Sequence, residues 1–344
     1  MEMPESEEKV LFLSQPENYP VPATHVEVKE THMSWVFLTD AHAWKLKKPV
    51  RTAYLDFSTP EARRQNCEAE VSLNQRLARD VYLGIVALTW DGQGKLSLRG
   101  QAQAIDWLVW MRRLPSACML DQAIANHTVN NADVRNVGRL LAKFYQRAAP
   151  VEMTAEEYSR QLTREVRANQ LELTKPEYGL RIATVNAITE PQLCFLRQET
   201  DVLAARVHSG KIVEAHGDLR PEHICLLREP VIIDCLEFNR DFRILDTASE
   251  LAFLALECER LGAPRVGKLI LQTYTEEMGD TPPEKMLRFY QSLHACLRAK
   301  IALWHLQDHE VTGRAKWIKR AEEYLALVAT HAAQFASHCQ QFHD

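Results

Sequence analysis

Short runs of apolar residues with period-two alternation occupy the first third of the chain, and they predict β-strands over 26–29, 35–39 and 43–46. The last two are joined by Asp40-Ala41-His42. A helix is expected next, because Thr59-Pro60-Glu61 offers an N-cap and a first-turn proline, and Val71, Leu73 and Leu77 supply an apolar face before Asp80. Strand patterning then returns over 85–90, 95–98 and 104–111. Beyond residue 114 the period becomes helical. Val134, Val137, Leu140, Leu141, Phe144 and Tyr145 follow Asp133 at helix spacing, and helical stretches recur over 158–171, 193–207, 248–261, 290–306 and 317–335. Asp246 is placed as an N-cap of the 248–261 helix and Gly262 as its stop. Linkers are expected near Pro176, Pro191 and Pro282-Pro283.

One segment breaks the helical run. The apolar residues 224–227 and 231–233, joined by Arg228-Glu229-Pro230, read as a β-hairpin. The pattern His216-Gly217-Asp218 precedes this hairpin and Asp234 follows it. Two carboxylates bracketing a hairpin suit phosphoryl transfer, where one meets an acceptor hydroxyl and the other a metal-bound phosphate. Protein kinases place an Asn five residues after the first Asp; here that position is His223.

Composition narrows the class. With 344 residues and 46% hydrophobic content, the chain is long enough for two lobes with buried cores. A net charge of -5 gives no footprint for nucleic acid, and Lys45-Leu46-Lys47-Lys48 is too short to change that. The acidic start of the chain is unlike a signal peptide and no apolar run reaches membrane-span length, so a cytoplasmic protein without membrane contact is expected. The eight cysteines show no Cys-x-x-Cys pair, which predicts free thiols and no zinc knuckle.

The His216-Gly217-Asp218 loop, the Ile233-Asp234 pair and the stretch Asp246-Thr-Ala-Ser-Glu250-Leu-Ala resemble the aminoglycoside phosphotransferase and choline kinase-like branch of the protein-kinase-like fold. More narrowly, the chain resembles an uncharacterised bacterial group whose members are sometimes fused to a P-loop ATP-binding domain. It contains no Gly-x-x-x-x-Gly-Lys-Ser/Thr, so that second module is not expected here. The resemblance implies an α+β bilobal fold: a small antiparallel-sheet lobe with one main helix and a hinge over 1–114, and a larger, mostly helical catalytic lobe over 115–344.

It also implies roles. Ala43-Trp44-Lys45 matches the third-strand Ala-x-Lys whose ammonium holds nucleotide phosphates, with Lys47 on the same strand face as the substitute and Lys48 pointing away. Glu70 matches the helix residue that fixes that lysine, with Glu68 as the alternative. The glycine-rich phosphate loop is replaced by Glu30-Thr-His-Met-Ser34, where Thr31 or Ser34 would donate instead. Met111, Arg112 and Leu114 match the hinge, where main-chain groups meet adenine.

The expected chemistry is transfer of the ATP γ-phosphoryl group to a hydroxyl of a small-molecule acceptor, a protein acceptor being the variant. Asp218 is the base, His216 braces its loop, Asp234 binds Mg2+, and His223 acts at the second metal position or on phosphate or substrate. Two other classes stay open: a nucleotide-binding pseudokinase, and a metal-dependent hydrolase built on His216, Asp218, His223 and Asp234. Glu237, Asp241 and Glu250 suggest a cationic acceptor, Arg240 and Arg243 an anionic one, and Arg298, Lys300, Trp304 and His305 are candidates for lining its pocket.

Overall fold

The computed structural model describes residues 4–52, 54–306 and 313–335. The chain is α+β, and its contacts divide it into two compact units, Met1–Gln122 with His223–Phe242, and Ala123–Glu222 with Arg243–Asp344. Residues 115–122 and the hairpin segment thus pack with the sheet.

The first unit is built on an antiparallel sheet of order β1-β2-β3-β6-β4-β5. Its strands are β1 (Glu27–Glu30), β2 (Ser34–Leu38), β3 (His42–Lys47), β4 (Tyr82–Trp90), β5 (Leu96–Leu98) and β6 (Gln103–Arg112). Helix α1 (Ser6–Leu13) lies in the same cluster as one sheet face, where Leu13 packs with Phe37, Trp44, Leu46 and Leu108. The other face packs Ala43, Val109 and Met111 with Cys67 of helix α2 (Pro60–Asn74). Strand alternation therefore sends Trp44 and Leu46 one way and Ala43, Lys45 and Lys47 the other. Helix α2 starts where Thr59 accepts the Ala62 amide and Pro60 occupies the first turn, as the sequence predicts. The short hairpin β8 (Ile224–Cys225) and β9 (Val231–Ile232) joins this unit through Val231 and Ile233, which pack on the α2 side of the sheet.

Among its described residues the second unit is helical apart from β7 (Ile212–Glu214) paired with β10 (Ile244–Asp246). Its helices include α4 (Asn131–Arg147), α5 (Ala155–Leu173), α6 (Ile182–Gln198), α7 (Thr200–His208), α8 (Thr247–Arg260), α9 (Pro264–Met278), α10 (Glu284–Trp304) and α11 (Arg314–Phe335); α3 (Leu120–Ala125) spans the boundary of the two units. Helix α8 forms the centre, with residues from Thr247 to Cys258 all buried. Asp246 caps it by accepting the Ala248 amide and takes two bonds from Arg206 at 2.7 and 2.9 Å. Two expectations change. The helix expected over 193–207 begins earlier and is divided at Glu199, and Pro191 lies inside α6 instead of in a linker. The pattern rules read proline as a break, but the flanking Ile188, Leu193 and Phe195 are buried, and this packing holds the helix through it.

Six cysteines are free thiols: Cys67, Cys118, Cys225, Cys235, Cys258 and Cys296. Cys194, expected as a free thiol, is disulfide-bonded, and Cys339 lies outside the described residues. Among the described residues no helix is long and apolar enough to cross a membrane.

Candidate functional site

In the sheet unit, β3 presents Lys45 and Lys47 toward α2 because both occupy the same strand face. The Lys45 ammonium donates to Glu70 Oε1 and to Asp234 Oδ1, each at 2.9 Å. Lys47 donates to the other Glu70 oxygen and to Glu237 Oε1. Glu70 is fully buried and divides its carboxylate between the two lysines, whereas the Asp234 side chain keeps 43% of its surface exposed. The alternative helix residue, Glu68, pairs with Arg64 on the outer face of α2.

Burial opposes the charge on each of these groups, and the surrounding opposite charges outweigh it. Lys45 is held protonated by Asp234, Glu70 and Glu237, and Lys47 by Glu237 and Glu70. The Asp234 carboxyl lies far below the usual carboxylate range; burial pushes it up, but Lys45 and then His223 pull it down further. Glu70 is likewise ionised, through Lys45 and Lys47 against burial.

The backbone at Asp234 is strained toward this arrangement. Asp234 adopts φ +62°, a left-handed conformation that residues other than glycine seldom take. Its amide donates to the Tyr82 hydroxyl at 3.1 Å, and the next amide, of Cys235, donates to Asn74 Oδ1 at 2.8 Å. Asn74 lies one helical turn after Glu70 on α2, so one helix face positions both the lysines' carboxylate and the loop carrying Asp234.

His223 is buried, and its Nε2 stands 3.5 Å from Asp234 Oδ2. Its carbonyl accepts the Ile233 amide at 2.9 Å, which ties the two ends of the hairpin together. Among the described residues no group of three or more His, Cys, Asp or Glu is arranged to hold a metal ion. The donor set still fits magnesium in one respect: Asp234 is an ionised, half-exposed carboxylate, and magnesium commonly binds one or two carboxylates plus substrate phosphates and water. The imidazole of His223 does not suit magnesium's preference for oxygen.

The turn 30–34 explains its lack of glycine. The Thr31 hydroxyl donates to the Ser34 carbonyl at 3.0 Å and accepts the Ser34 amide at 3.0 Å, closing the turn with its own side chain. Thr31 is thus committed within the turn. At the hinge, Met111 is buried in the sheet core, while Arg112 and Arg113 donate their amides to the carbonyls of Val81 and Ala41.

In the helical unit, the His216-Gly217-Asp218 loop is held by a residue whose role the sequence did not reveal. Glu250 Oε1 accepts the amides of His216 and Gly217 at 2.8 and 2.7 Å, and Oε2 accepts the Tyr145 hydroxyl at 2.7 Å. Glu250 is buried, so it serves the loop and does not face a cationic acceptor. Gly217 takes φ +87°, which a side chain would disfavour. His216 is fully buried and its Nδ1 accepts the Asp218 amide at 3.3 Å. Asp218 itself pairs with Arg220 at 3.0 Å. The signal for Glu250 was present in its position four residues after the cap Asp246. Glu237 is also engaged, by Lys47, and Arg243 pairs with Glu214 at 2.7 Å.

Comparison with solved structures decides the fold. Aminoglycoside 2'-phosphotransferase-IIIa, solved as a GDP complex, matches with a TM-score of 0.53 and 15% identity over 96% of this chain and 99% of that one. A choline/ethanolamine kinase family protein from Mesorhizobium loti gives 0.52 at 14% identity, covering 94% and 98%. The chain has the protein-kinase-like fold of aminoglycoside phosphotransferases and choline kinases. A choline kinase from Cryptosporidium parvum gives 0.52 at 10% identity, covering 96% and 97%. No protein-family model matches the chain. Uncharacterised proteins of Mycobacterium bovis and Mycobacterium tuberculosis are 33% identical over 286 residues, 80% of this chain. The chain spans about half, 54%, of the length of these relatives.

In the sheet unit a strand lysine, a helix glutamate that grips it and an aspartate after a hairpin meet.

Proposed function

We propose that the protein is a phosphotransferase that moves the γ-phosphoryl group of ATP to a hydroxyl of a small molecule. The observation that carries this reading is the bridge of Lys45 between Glu70 and Asp234, two bonds of 2.9 Å that hold a cation and a half-exposed carboxylate side by side. Such a pair suits a nucleotide's phosphates: the lysine meets oxygens directly and Asp234 offers a magnesium ligand. Magnesium, when bound, neutralises phosphate charge. The fold shared with kinases, one of them solved with GDP, favours nucleotide over other anions.

In this reading Lys45 holds the α and β phosphates and Glu70 keeps it extended. Met111, Arg112 and Leu114 form the hinge, with Leu114 offering its amide and Arg112 its carbonyl to the base. Asp218, oriented by His216 and by the Glu250-braced loop, positions the acceptor hydroxyl and takes its proton. His223 orients Asp234 through the 3.5 Å approach of its Nε2 and is not itself a magnesium ligand.

A second reading rests on the same residue. With His223 in place of an oxygen donor, one metal position is weakened, and the protein would bind nucleotide but transfer slowly. The two are separated by measuring MgATP binding and acceptor-dependent ADP release on one preparation. Binding with Asp218-dependent release supports the phosphotransferase; binding alone across a broad acceptor panel supports the nucleotide-binding pseudokinase. If MgATP neither binds nor raises the melting temperature of the folded protein, both fail.

A further inference from the structure

Around Asp218 the helical unit gathers arginines. Arg220 donates to Asp218 Oδ2 at 3.0 Å and, through its other terminal nitrogen, to Glu222 at 2.6 Å. Arg298, on α10 of the same unit, is held by Tyr324 and Glu257. Its Nε donates to the Tyr324 hydroxyl at 3.4 Å, its guanidinium lies 5.8 Å from that ring's centre and 3.7 Å from Glu257. Burial acts against the charge on Arg298, and Asp218 is the strongest of the groups that restore it, ahead of Tyr324 and Glu257. Arg220 in turn feels Asp218 as its main support and Arg298 as a repelling neighbour. Both side chains are largely shielded, 17% exposed for Arg220 and 15% for Arg298, while Asp218 keeps 27%. Asp218 thus supports the charge of both guanidiniums, beside Glu222 for Arg220 and Glu257 for Arg298.

That sharing bears on the acceptor. In the transfer proposed above, the acceptor oxygen forms a bond to the γ-phosphorus, the bond from that phosphorus to the β–γ bridging oxygen breaks, and ADP leaves with the electron pair. The hydroxyl proton goes to Asp218, which must first turn an oxygen from Arg220 to the hydroxyl. On taking the proton it loses its charge. Two shielded guanidiniums then lose one of the negative charges that support them. A cationic acceptor would add like charge at the moment compensation is lost; an anionic one would replace it. Guanidiniums also match carboxylate and phosphate oxygens through paired, charge-assisted hydrogen bonds.

We infer that the acceptor carries an anionic group, phosphate or carboxylate, near its reacting hydroxyl, and that Arg220 and Arg298 hold it. This rests on the phosphotransferase reading and sets the acceptor class apart from aminoglycosides and choline. Binding of the anion draws Arg220 from Asp218, so the same contact that selects the acceptor frees the base.

The test uses the full chain with MgATP and matched acceptors: glycerol, glycerol 2-phosphate, glyceric acid, glucose, glucose 6-phosphate, choline and kanamycin. The expected result is ADP release at least 10-fold faster, in kcat/KM, for the anionic member of a matched set, and the phosphate or carboxylate member that leads identifies the anion. Arg298→Gln should raise KM for that acceptor at least 10-fold and change KM for ATP less than twofold. Preferential turnover of choline, kanamycin or the neutral members overturns the inference while leaving the phosphotransferase reading intact, as does an Arg298→Gln effect confined to ATP. Should no acceptor release ADP, the phosphotransferase reading fails on this panel and anion binding is judged separately, without nucleotide. A melting shift with glycerol 2-phosphate that Arg298→Gln removes supports the anion site; the absence of a shift in the wild type overturns it. If Arg298→Gln does not fold, Arg298→Lys, which keeps the charge but loses the paired geometry, serves in both measurements.

Discussion

Lys45 and Asp234 lie 189 positions apart in sequence, yet their ammonium nitrogen and carboxylate oxygen meet at 2.9 Å. The contact closes only when β3 and the segment after the β8–β9 hairpin belong to one unit. It leaves the Asp234 side chain partly exposed and therefore accessible to a cation.

Replacing Lys45 by Met should weaken MgATP binding by about 10- to 100-fold, the equivalent of one or two charge-assisted hydrogen bonds. Asp234→Asn should remove the magnesium-dependent part of nucleotide binding while leaving any metal-independent part. Calorimetric titration with and without magnesium distinguishes the two, and equal affinities for wild type and Lys45→Met would remove Lys45 from the site.

Lys47 has a different expected phenotype. It is buried between Glu70 and Glu237, so Lys47→Met takes one cation from two shielded carboxylates and should cost about 3 kcal/mol of stability. Urea unfolding measures this. Nucleotide affinity of whatever remains folded should fall less than in Lys45→Met; the reverse order would exchange the roles of the two lysines.

Glu250→Ala leaves the His216 and Gly217 amides and the Tyr145 hydroxyl without their shared acceptor, and should destabilise by roughly 3 kcal/mol. Because Glu250 shapes the loop of the proposed base, acceptor-dependent ADP release should fall at least 10-fold more than MgATP affinity. Parallel losses in the two would make Glu250 a purely structural residue.

His294 provides a pH signature independent of the nucleotide site. It is buried against Ser249, whose hydroxyl lies 2.9 Å from Nε2, and stacks on Phe253, with Arg298 adding positive charge and Asp218 negative. Burial, the largest influence, pushes its pKa down to about 4. The unfolded chain binds this proton near pH 6.5 and the folded chain does not until about 4, so stability falls as pH drops through that window. The loss should approach roughly 3 kcal/mol below the folded value. In His294→Gln the slope of unfolding free energy against pH should be shallower between pH 6.5 and 4; an unchanged slope would mean that His294 is not the group responsible.

Much of this was legible in the sequence because it is local. Thr59 and Asp246 announce their helices through cap chemistry, and period-two alternation alone places Lys45 and Lys47 on one face. Glu70 was readable from its spacing with Leu73 and Leu77, although only the fold separates it from Glu68. The Lys47–Glu237 contact was not legible, since 190 positions separate the partners and no local pattern records the pairing. Helix α9 went unread despite Pro264 at its start, and the β7–β10 pair was missed because three-residue strands carry too little periodicity to stand out. Glu250 reads in the sequence as a candidate for attracting a cationic acceptor for a related reason: its acidity is visible there, but the two loop amides that it accepts are visible only in the fold.

The most direct test of the phosphotransferase account is the rate of acceptor-dependent ADP release by Asp218→Asn compared with the wild type, at saturating MgATP and the best acceptor found. The account predicts a fall of about 10²–10⁴-fold with MgATP affinity nearly unchanged. Equal rates in the two proteins would contradict Asp218 as the base, and with it the proposed chemistry.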